Sequence, residues 1–325
     1  MKLLALGTGP FAVPSLRAIV ESGRHEVLAV VTRPPRGRRG EPPAPMAAAA
    51  EELGLPLWQP ATVNEAEAIE RLTAYGADLL VVCDYGEILK PAALGATRLG
   101  GVNLHGSLLP KHRGAAPVQW AVLRSDAETG ATVIQMTPGL DAGPILGRFT
   151  TPIDPDETSG ELEERLAELG AALTLEVVDA LSDGTATGEP QDKSLVSKAP
   201  RLRKEDGLID WSRPARALKD HVRGMSPWPR AFTFVPQPDG KPPLRLVVDR
   251  VAVVKDEGPL RERQPGEVIA ADGRLVVATG DGAVELREVQ PAGKRRMPAG
   301  DWLRGAKLAT GAVLGDGAAL GDRRP

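Results

Sequence analysis

The first half of the chain alternates between two hydrophobic periods. Short, mostly apolar runs recur at "KLLALG" (2–7), "EVLAVVT" (26–32), "LPLWQ" (55–59), "ADLLVVCDY" (77–85), "GGVNLH" (100–105) and "ATVIQM" (131–136). Runs of this kind, without strict polar alternation, fit strands buried on both faces of a parallel sheet. Helical spacing fills the gaps near 10–22, 44–53, 64–75 and 117–124. The best-marked helix opens at Thr158 and Glu161, a capping-box spacing, and carries Leu162, Leu166, Leu169, Leu173 and Val177 at steps of three and four. Gly184 suits its stop. The pattern predicts a Rossmann-like α/β domain over 1–184, with that helix packed on it.

From 185 to 208 the sequence turns polar and loop-like, the texture of a linker. A helical segment near 212–223 and a "SPWPRAF" turn follow. Then come "LRLVVDRVAVV", "GEVIAA", "RLVVATG" and "AVELREVQ", with the pairs Asp239-Gly240, Asp272-Gly273 and Asp281-Gly282 among them. Asp-Gly between strand-like runs marks hairpins, because both residues tolerate the positive φ of a tight turn. The pattern predicts a smaller antiparallel β-barrel, OB-like, over 209–310. Residues 311–325, rich in Gly and Ala, are expected to be a disordered tail.

Composition narrows the function classes. A chain of 325 residues, 42% hydrophobic and 26% charged, is that of a soluble globular protein of two domains. No run approaches the roughly 18 apolar residues of a membrane span, and Met1 leads into a stretch too short for a signal peptide, so a cytoplasmic location is expected. The single cysteine, Cys83, lies in an apolar run and reads as a buried, inert thiol; one cysteine also excludes an internal disulfide and any multi-cysteine metal site. A formal charge of −3 excludes a globally basic nucleic-acid binder but leaves room for local patches. Four cationic clusters exist: Arg33, Arg36, Arg38 and Arg39; Lys111, His112 and Arg113; Arg201, Arg203 and Lys204; and Lys294, Arg295 and Arg296. Taken alone, each is most simply solvated surface.

Two motifs bear on chemistry. "GTGPFA" (7–12) follows the first strand and partly matches a dinucleotide fingerprint. Pro10, however, removes a backbone donor from the group of N–H bonds that a phosphate would use, and a tight strand-to-helix turn accounts for the glycines. The stretch "GVNLHGSLLPKHRGAAPVQWAV" (101–122) carries more. Asn103 and His105 lie two apart at the end of a strand, so both face one side of the sheet, beside the crevice where open α/β sheets bind ligands. An amide can donate to a developing oxyanion, and a neutral imidazole can accept and return a proton. Asp141, in "TPGLDAGPI", supplies a carboxylate to orient such a histidine. For an isolated His and Asp, a structural hydrogen bond would explain the pair equally well.

The pattern is longer than a pair. "NLHGSLLPKHRGAAPVQWAVL" followed by "TGATVIQMTPGLDAGPIL" resembles the folate-dependent formyltransferase family. The resemblance extends through "DETSGELEERLAELG", "LIDWSRPARAL", "SPWPRAF" and "VATGDGAVELREVQPAGKRRM" to the two-domain members that act on initiator methionyl-tRNA. It implies formyl transfer from 10-formyltetrahydrofolate, a co-substrate, to the α-amine of methionine on that tRNA, by a monomer needing no metal. It implies His105 as base, Asn103 as oxyanion donor and Asp141 as the group that orients and balances His105. It implies that Ser107, Leu108, Leu109 and Pro110 shape the folate site, with Tyr85, Gly86, Ile88 and Leu89 offering backbone groups to the pterin. The barrel domain would help hold tRNA, with Arg33, Arg36, Arg38, Arg39, Lys294, Arg295 and Arg296 as candidate contacts. Formylation of a sugar-nucleotide amine, hydrolysis of formyltetrahydrofolate and a non-enzymatic tRNA-binding module are the alternatives. The chain departs from the family pattern after the second strand, where Glu41 and prolines replace a lysine-bearing segment. It departs again at "GTGPFA" and at Asp84, Glu87 and Lys90 around "YGEILKP".

Overall fold

The structure, a computed structural model, describes residues 1–35, 42–238, 241–254 and 263–315. Two compact units divide the chain. The first comprises Met1–Val118, Glu128–Pro152 and Glu161–Pro200; the second comprises Gln119–Ala127, Ile153–Gly160 and the chain from Arg201 onward.

The strands up to residue 200 are β1 (Lys2–Leu6), β2 (Glu26–Val31), β3 (Leu57–Trp58), β4 (Leu79–Val82), β5 (Gly101–His105), β6 (Arg113–Gly114), β7 (Glu128–Gln135), β8 (Ile145–Pro152) and β9 (Lys198–Ala199). Seven of them form one sheet in the order β3-β2-β1-β4-β5-β7-β8, while β6 and β9 pair separately. Strands β1 to β5 are parallel, as the apolar runs predict. Strands β7 and β8 reverse direction, so the sheet is mixed and not wholly parallel. Burial on both faces produces the same apolar run whichever way a neighbour points, which is why β7 carried no sign of its direction. Strand β8 escaped notice because alternate residues are exposed and its sequence mixes Gly, Arg and Thr among few apolar residues.

Helices α1 (Val13–Ser22), α2 (Pro45–Glu52), α3 (Ala66–Ala74), α4 (Pro91–Leu94), α5 (Pro117–Leu123) and α6 (Ser159–Asp183) fill the connections. The sheet core is made by Leu4, Leu6, Leu80 and Val82 against Leu72 of α3 and Leu89. The buried line of α6 keeps Leu162, Leu166 and Val177 of the expected stripe but is centred differently. It runs in steps of four through Leu162, Leu166, Gly170, Thr174 and Val178, while Leu169 is 45% exposed. A Cβ on Gly170 would stand 2.9 Å from Leu104 Cδ2, so the helix backbone itself lies against β5. Two of the five contact positions are therefore not hydrophobic, and a search for apolar periodicity passes over them. Gly184 ends the helix at φ +71°.

The polar stretch 185–208, expected as a linker, is built into structure. Ile145 and Glu189 exchange two backbone hydrogen bonds of 2.8 Å, β9 pairs with β6, and Lys204–Gly207 form a 3-10 turn. Polar composition did not signal freedom here, because Glu189 and Lys198–Ala199 satisfy backbone groups on β8 and β6, and the turn at 203–208 satisfies its own.

The second unit contains α7 (Ala215–Gly224), strands β10 (Ala231–Val235), β11 (Leu244–Val254), β12 (Val268–Ala271), β13 (Leu275–Ala278), β14 (Ala283–Pro291) and β15 (Met297–Pro298), and α8 (Ala299–Leu303). The antiparallel order is β10-β11-β14-β13-β12, with β15 on β14. Gly273 and Gly282 take φ of +101° and +87° in the two Asp-Gly hairpins that the structure describes; Asp239-Gly240 lies outside the described residues. Residues 311–315, expected to begin a disordered tail, instead bridge the two edge strands. Val268 donates to Ala312 O, Leu314 donates to Gly266 O, and Phe234 and Gly315 exchange hydrogen bonds of 2.9 and 3.1 Å. Unpaired edges offer a row of N–H and C=O groups, and this small-residue segment satisfies them. The remainder of the expected tail, 316–325, is outside the described residues.

Within α7, His221 is buried and its Nε2 has no hydrogen-bond partner. Burial, only partly offset by a hydrogen bond to the Gly207 backbone, lowers its pKa from 6.5 to about 4. Below pH 6.5 the unfolded chain takes up a proton that the fold resists. Stability should therefore be full above pH 6.5 and fall as pH drops from 6.5 to about 4, by on the order of 3 kcal/mol for this group. Denaturant melts of His221→Phe against the parent at pH 4.5 and 7.5 check this: the variant should show a smaller loss between the two pH values.

Candidate functional site

Strand β5 lies between β4 and β7, with Asn103 opposite Val82 on one side and Ile134 on the other. Asn103 is half-buried and His105 is buried on the same face of the strand. No hydrogen bond to the Asn103 amide is found among the described residues, so its donors stay available to a ligand. His105 Nε2 lies 2.9 Å from the carbonyl oxygen of His112. A carbonyl only accepts, so the neutral ring carries its proton on Nε2 and its lone pair on Nδ1.

Facing Nδ1 is Asp141, whose Oδ2 is 3.8 Å away. That is too long for a hydrogen bond, so the geometric hold on the imidazole comes from His112 O, with the Asp141 carboxylate facing the other ring nitrogen. Asp141 itself sits at φ +48° in the connection between β7 and β8. Gly114 N–H donates to its Oδ2 at 2.8 Å, and Gln191 Nε2 donates to the Asp141 and Gly143 carbonyls at 2.9 and 2.7 Å. Arg113, from a cluster read as surface charge, holds Gln191 Oε1 through Nε and a terminal nitrogen. Gly114 is at φ +132°, and a Cβ there would meet Ala199 O at 2.4 Å. Thus the β6–β9 pair places the N–H that holds the carboxylate. Sequence reasoning missed the His112 carbonyl, Gly114 and Gln191. Gly114 alone had a local signal, as a glycine in a motif of otherwise ordinary residues.

The expected folate-shaping residues divide by burial. Ser107 is fully buried and its hydroxyl donates to Lys111 O at 2.7 Å. Leu109 N donates to Thr132 Oγ1, which donates in turn to Ser107 O. Leu109 packs with Ile134 and Ile145, Pro110 is buried, and Leu108 is half-buried. These side chains shape the loop from beneath. In the second segment, Tyr85 and Leu89 are core residues, whereas Gly86 (φ +83°) and Ile88 (68% exposed) form the outer surface.

The departures around this segment have different explanations. Glu87 pairs with Arg33 NH1 at 2.6 Å and also accepts from Thr62 Oγ1, Val63 N–H and Asn64 Nδ2. Arg33, expected among the nucleic-acid contacts, is therefore an internal ion-pair residue with its guanidinium largely buried. Asp84 takes φ +44° and packs its carboxylate over Gly9, where a Cβ would fall 1.7 Å from Oδ2. Desolvation raises this carboxyl to about 6 although its outer side meets solvent. Lys90 is exposed and its N–H donates to Asn64 Oδ1 at 2.7 Å. Cys83 is buried, and that burial pushes its thiol well above the usual range.

Among the other cations, Arg36, Arg38 and Arg39, like Glu41, lie outside the described residues. In the second unit Arg296 pairs with Glu288 and approaches Asp249 at 3.7 Å, and Asp249 is also held by Nε and one terminal nitrogen of Arg230, whose other terminal nitrogen donates to Gln290. Lys294 and Arg295 are exposed and have no ion pair among the described residues. Among the described residues there is no group of three or more His, Cys, Asp or Glu that could hold a metal ion, and no helix long and apolar enough to cross a membrane.

Comparison with known proteins agrees with this architecture. Residues 1–178 match the formyl transferase family and residues 201–307 its C-terminal domain. The chain is 48% identical to methionyl-tRNA formyltransferase of Rhodopirellula baltica, over 97% of this chain and 96% of that one. It is 45% identical to the enzyme of the same name from Salinispora arenicola, over 97% and 100%. In fold it resembles the N-formyltransferase from Helicobacter canadensis solved with folinic acid and dTDP-3-aminofucose (TM-score 0.65, 15% identity, 91% of this chain and 100% of that one). It also resembles HypX from Aquifex aeolicus in complex with tetrahydrofolic acid (TM-score 0.62, 16% identity, 93% and 46%).

Proposed function

The chain belongs to the formyl transferase family, and we propose that it transfers the formyl group of 10-formyltetrahydrofolate to the α-amine of methionine carried on initiator tRNA. The observation that carries this reading is the end-to-end agreement of both units with methionyl-tRNA formyltransferases, with Asn103 and His105 together on β5 and Asp141 facing His105 from the β7–β8 connection.

The chemistry follows from the geometry. The amine nitrogen attacks the formyl carbon, and the carbonyl electrons move onto oxygen. The free Asn103 amide donates to that oxyanion, an interaction typically worth about 3 kcal/mol in the barrier. The proton released from the amine passes to His105, whose lone pair is on Nδ1 while Nε2 is tied to His112 O. The Asp141 carboxylate, 3.8 Å from Nδ1, faces the nitrogen that receives the proton. Collapse of the tetrahedral intermediate breaks the bond from carbon to N10, and His105 returns the proton to that nitrogen as tetrahydrofolate leaves. No electron changes hands, so the step balances without a redox group or metal.

Folate is received by the Ser107–Pro110 and Tyr85–Leu89 loops, whose backbones are held from the core side. The barrel holds tRNA, with Lys294 and Arg295 as the free cations of the expected set; a few local phosphate contacts suffice despite the net negative charge. The working unit is the single chain, acting in the cytoplasm.

The test is formyl transfer from 10-formyltetrahydrofolate with initiator methionyl-tRNA, elongator methionyl-tRNA, a nucleotide-linked amino sugar and buffer as parallel acceptors. Formylation of the initiator alone is expected. Transfer to the amino sugar, or formate release into buffer with tRNA inert, would replace the acceptor in this reading.

A further inference from the structure

Glu87 and Arg33 stand out because neither fits the role its position suggested, and because their pairing is poorly built for stability. Arg33 NH1 meets Glu87 Oε2 at 2.6 Å with both side chains mostly buried, at 20% and 16% exposure. Arg33 Nε is nevertheless buried without an acceptor. A buried ion pair returns little net stability once desolvation is counted, and an unmet donor lowers that return further. What the pair does supply is geometry.

Glu87 collects donors from two segments, one at Arg33 and one at Thr62–Asn64. Besides Arg33 it accepts from Thr62 Oγ1, from Val63 N–H at 3.3 Å and from Asn64 Nδ2 at 2.9 Å. Asn64 reaches past it to brace the same loop, donating to Ile88 O and accepting from Lys90 N–H at 2.9 and 2.7 Å. Arg33 is tied to the loop a second time through its backbone: its N–H donates to Thr8 Oγ1 at 3.2 Å, and that hydroxyl donates to Tyr85 O at 3.0 Å. Both ends of the stretch from Tyr85 to Lys90 are thus held from the protein side, while Gly86 and Ile88 stay open on the other.

We propose that Glu87 and Arg33 are positioning residues that hold the Tyr85–Lys90 loop in the shape that receives the folate co-substrate, so that breaking the pair weakens folate binding before it affects the chemical step. This rests on the functional reading above. Arg33 then acts on the folate half of the reaction and not on tRNA.

Glu87→Ala should raise the KM for 10-formyltetrahydrofolate, and the Kd for folinic acid measured by calorimetry, by about tenfold to a hundredfold. Its kcat and KM for methionyl-tRNA should stay near the parent values. Arg33→Ala should do the same, the double variant should be no worse than either single one, and Arg33→Lys should restore part of the affinity by keeping the charge. A merely structural role would lower Tm without this split between KM and kcat, so melts accompany each variant, and the milder Glu87→Gln is read wherever Glu87→Ala does not fold. Unchanged folinic acid affinity in a folded Glu87 variant overturns the proposal while leaving the function intact. So does a rise in the tRNA KM alone for Arg33→Ala. Failure of the parent protein to bind folinic acid overturns both.

Discussion

Replacing His105 by alanine leaves a folded protein whose formyl transfer falls by about 10² to 10⁴, the usual worth of a positioned proton acceptor. Asn103→Ala should cost a similar amount, about 10² to 10³, because an oxyanion donor acts only where charge develops. The two are expected not to multiply. Once no base accepts the amine proton, a better-stabilised oxyanion has less to gain, and residues acting in one step are strongly non-additive. His105 lies in the sheet at 5% exposure, so alanine also opens a small cavity; His105→Asn, which fills more of it, should be as inactive and more stable. Asp141→Asn should cost less than either, since the ring is held by His112 O at 2.9 Å and loses only a charge at 3.8 Å. Single-turnover rates with saturating folate and initiator methionyl-tRNA make the comparison. A rate within a few-fold of the parent for His105→Ala or Asn103→Ala removes that residue from the mechanism.

Gly114→Ala is the second large effect, and it acts from outside the reacting groups. The glycine holds φ +132°, and a Cβ would lie 2.4 Å from Ala199 O and 3.0 Å from its carbon. Both atoms are backbone, so no side-chain rotation relieves the overlap. The chain must move, and the movement separates β6 from β9 and withdraws the N–H that holds Asp141 Oδ2. A loss of roughly 3 kcal/mol or more in stability is expected from the strained backbone and broken pairing, together with a fall in kcat like that of Asp141→Asn or larger. Gly184→Ala serves as the control. It also sits at positive φ, +71°, but nothing lies within 4 Å of the added carbon. It should cost about 1 kcal/mol, the ordinary penalty of a left-handed residue with a side chain, and leave kcat unchanged. Thermal melts and steady-state rates on the two variants separate the cases; equal effects at the two positions would show that the Ala199 contact has no special weight.

Much of this protein is local and was therefore legible. Strand and helix periods, the Asp-Gly hairpins, the inert Cys83 and the placing of Asn103 and His105 on one face all follow from spacing along the chain. Spacing is a one-dimensional property that burial patterns record faithfully. Family resemblance added the identity of the reaction because the motifs around Asn103, His105 and Asp141 are long enough to exclude chance.

What could not be read depends on who meets whom at large sequence separation. The reversed direction of β7 and β8 leaves no mark in a run buried on both faces. The closing of the barrel by residues 311–315 depends on edges that exist only once the sheet has formed. Arg33 looked like one of four surface arginines until Glu87, 54 positions away, was found beside it. Sequence spacing makes Asp141 the orienting partner of His105, but the His112 carbonyl is nearer, while Gly114 holds the Asp141 carboxylate and Gln191 its backbone carbonyl. The sequence determined which groups can do the chemistry and on which strand they stand. Only the tertiary structure decided which nitrogen of His105 is left to accept a proton, because hydrogen bonds are short and directional, and their partners here are brought together by folding, not by order in the chain.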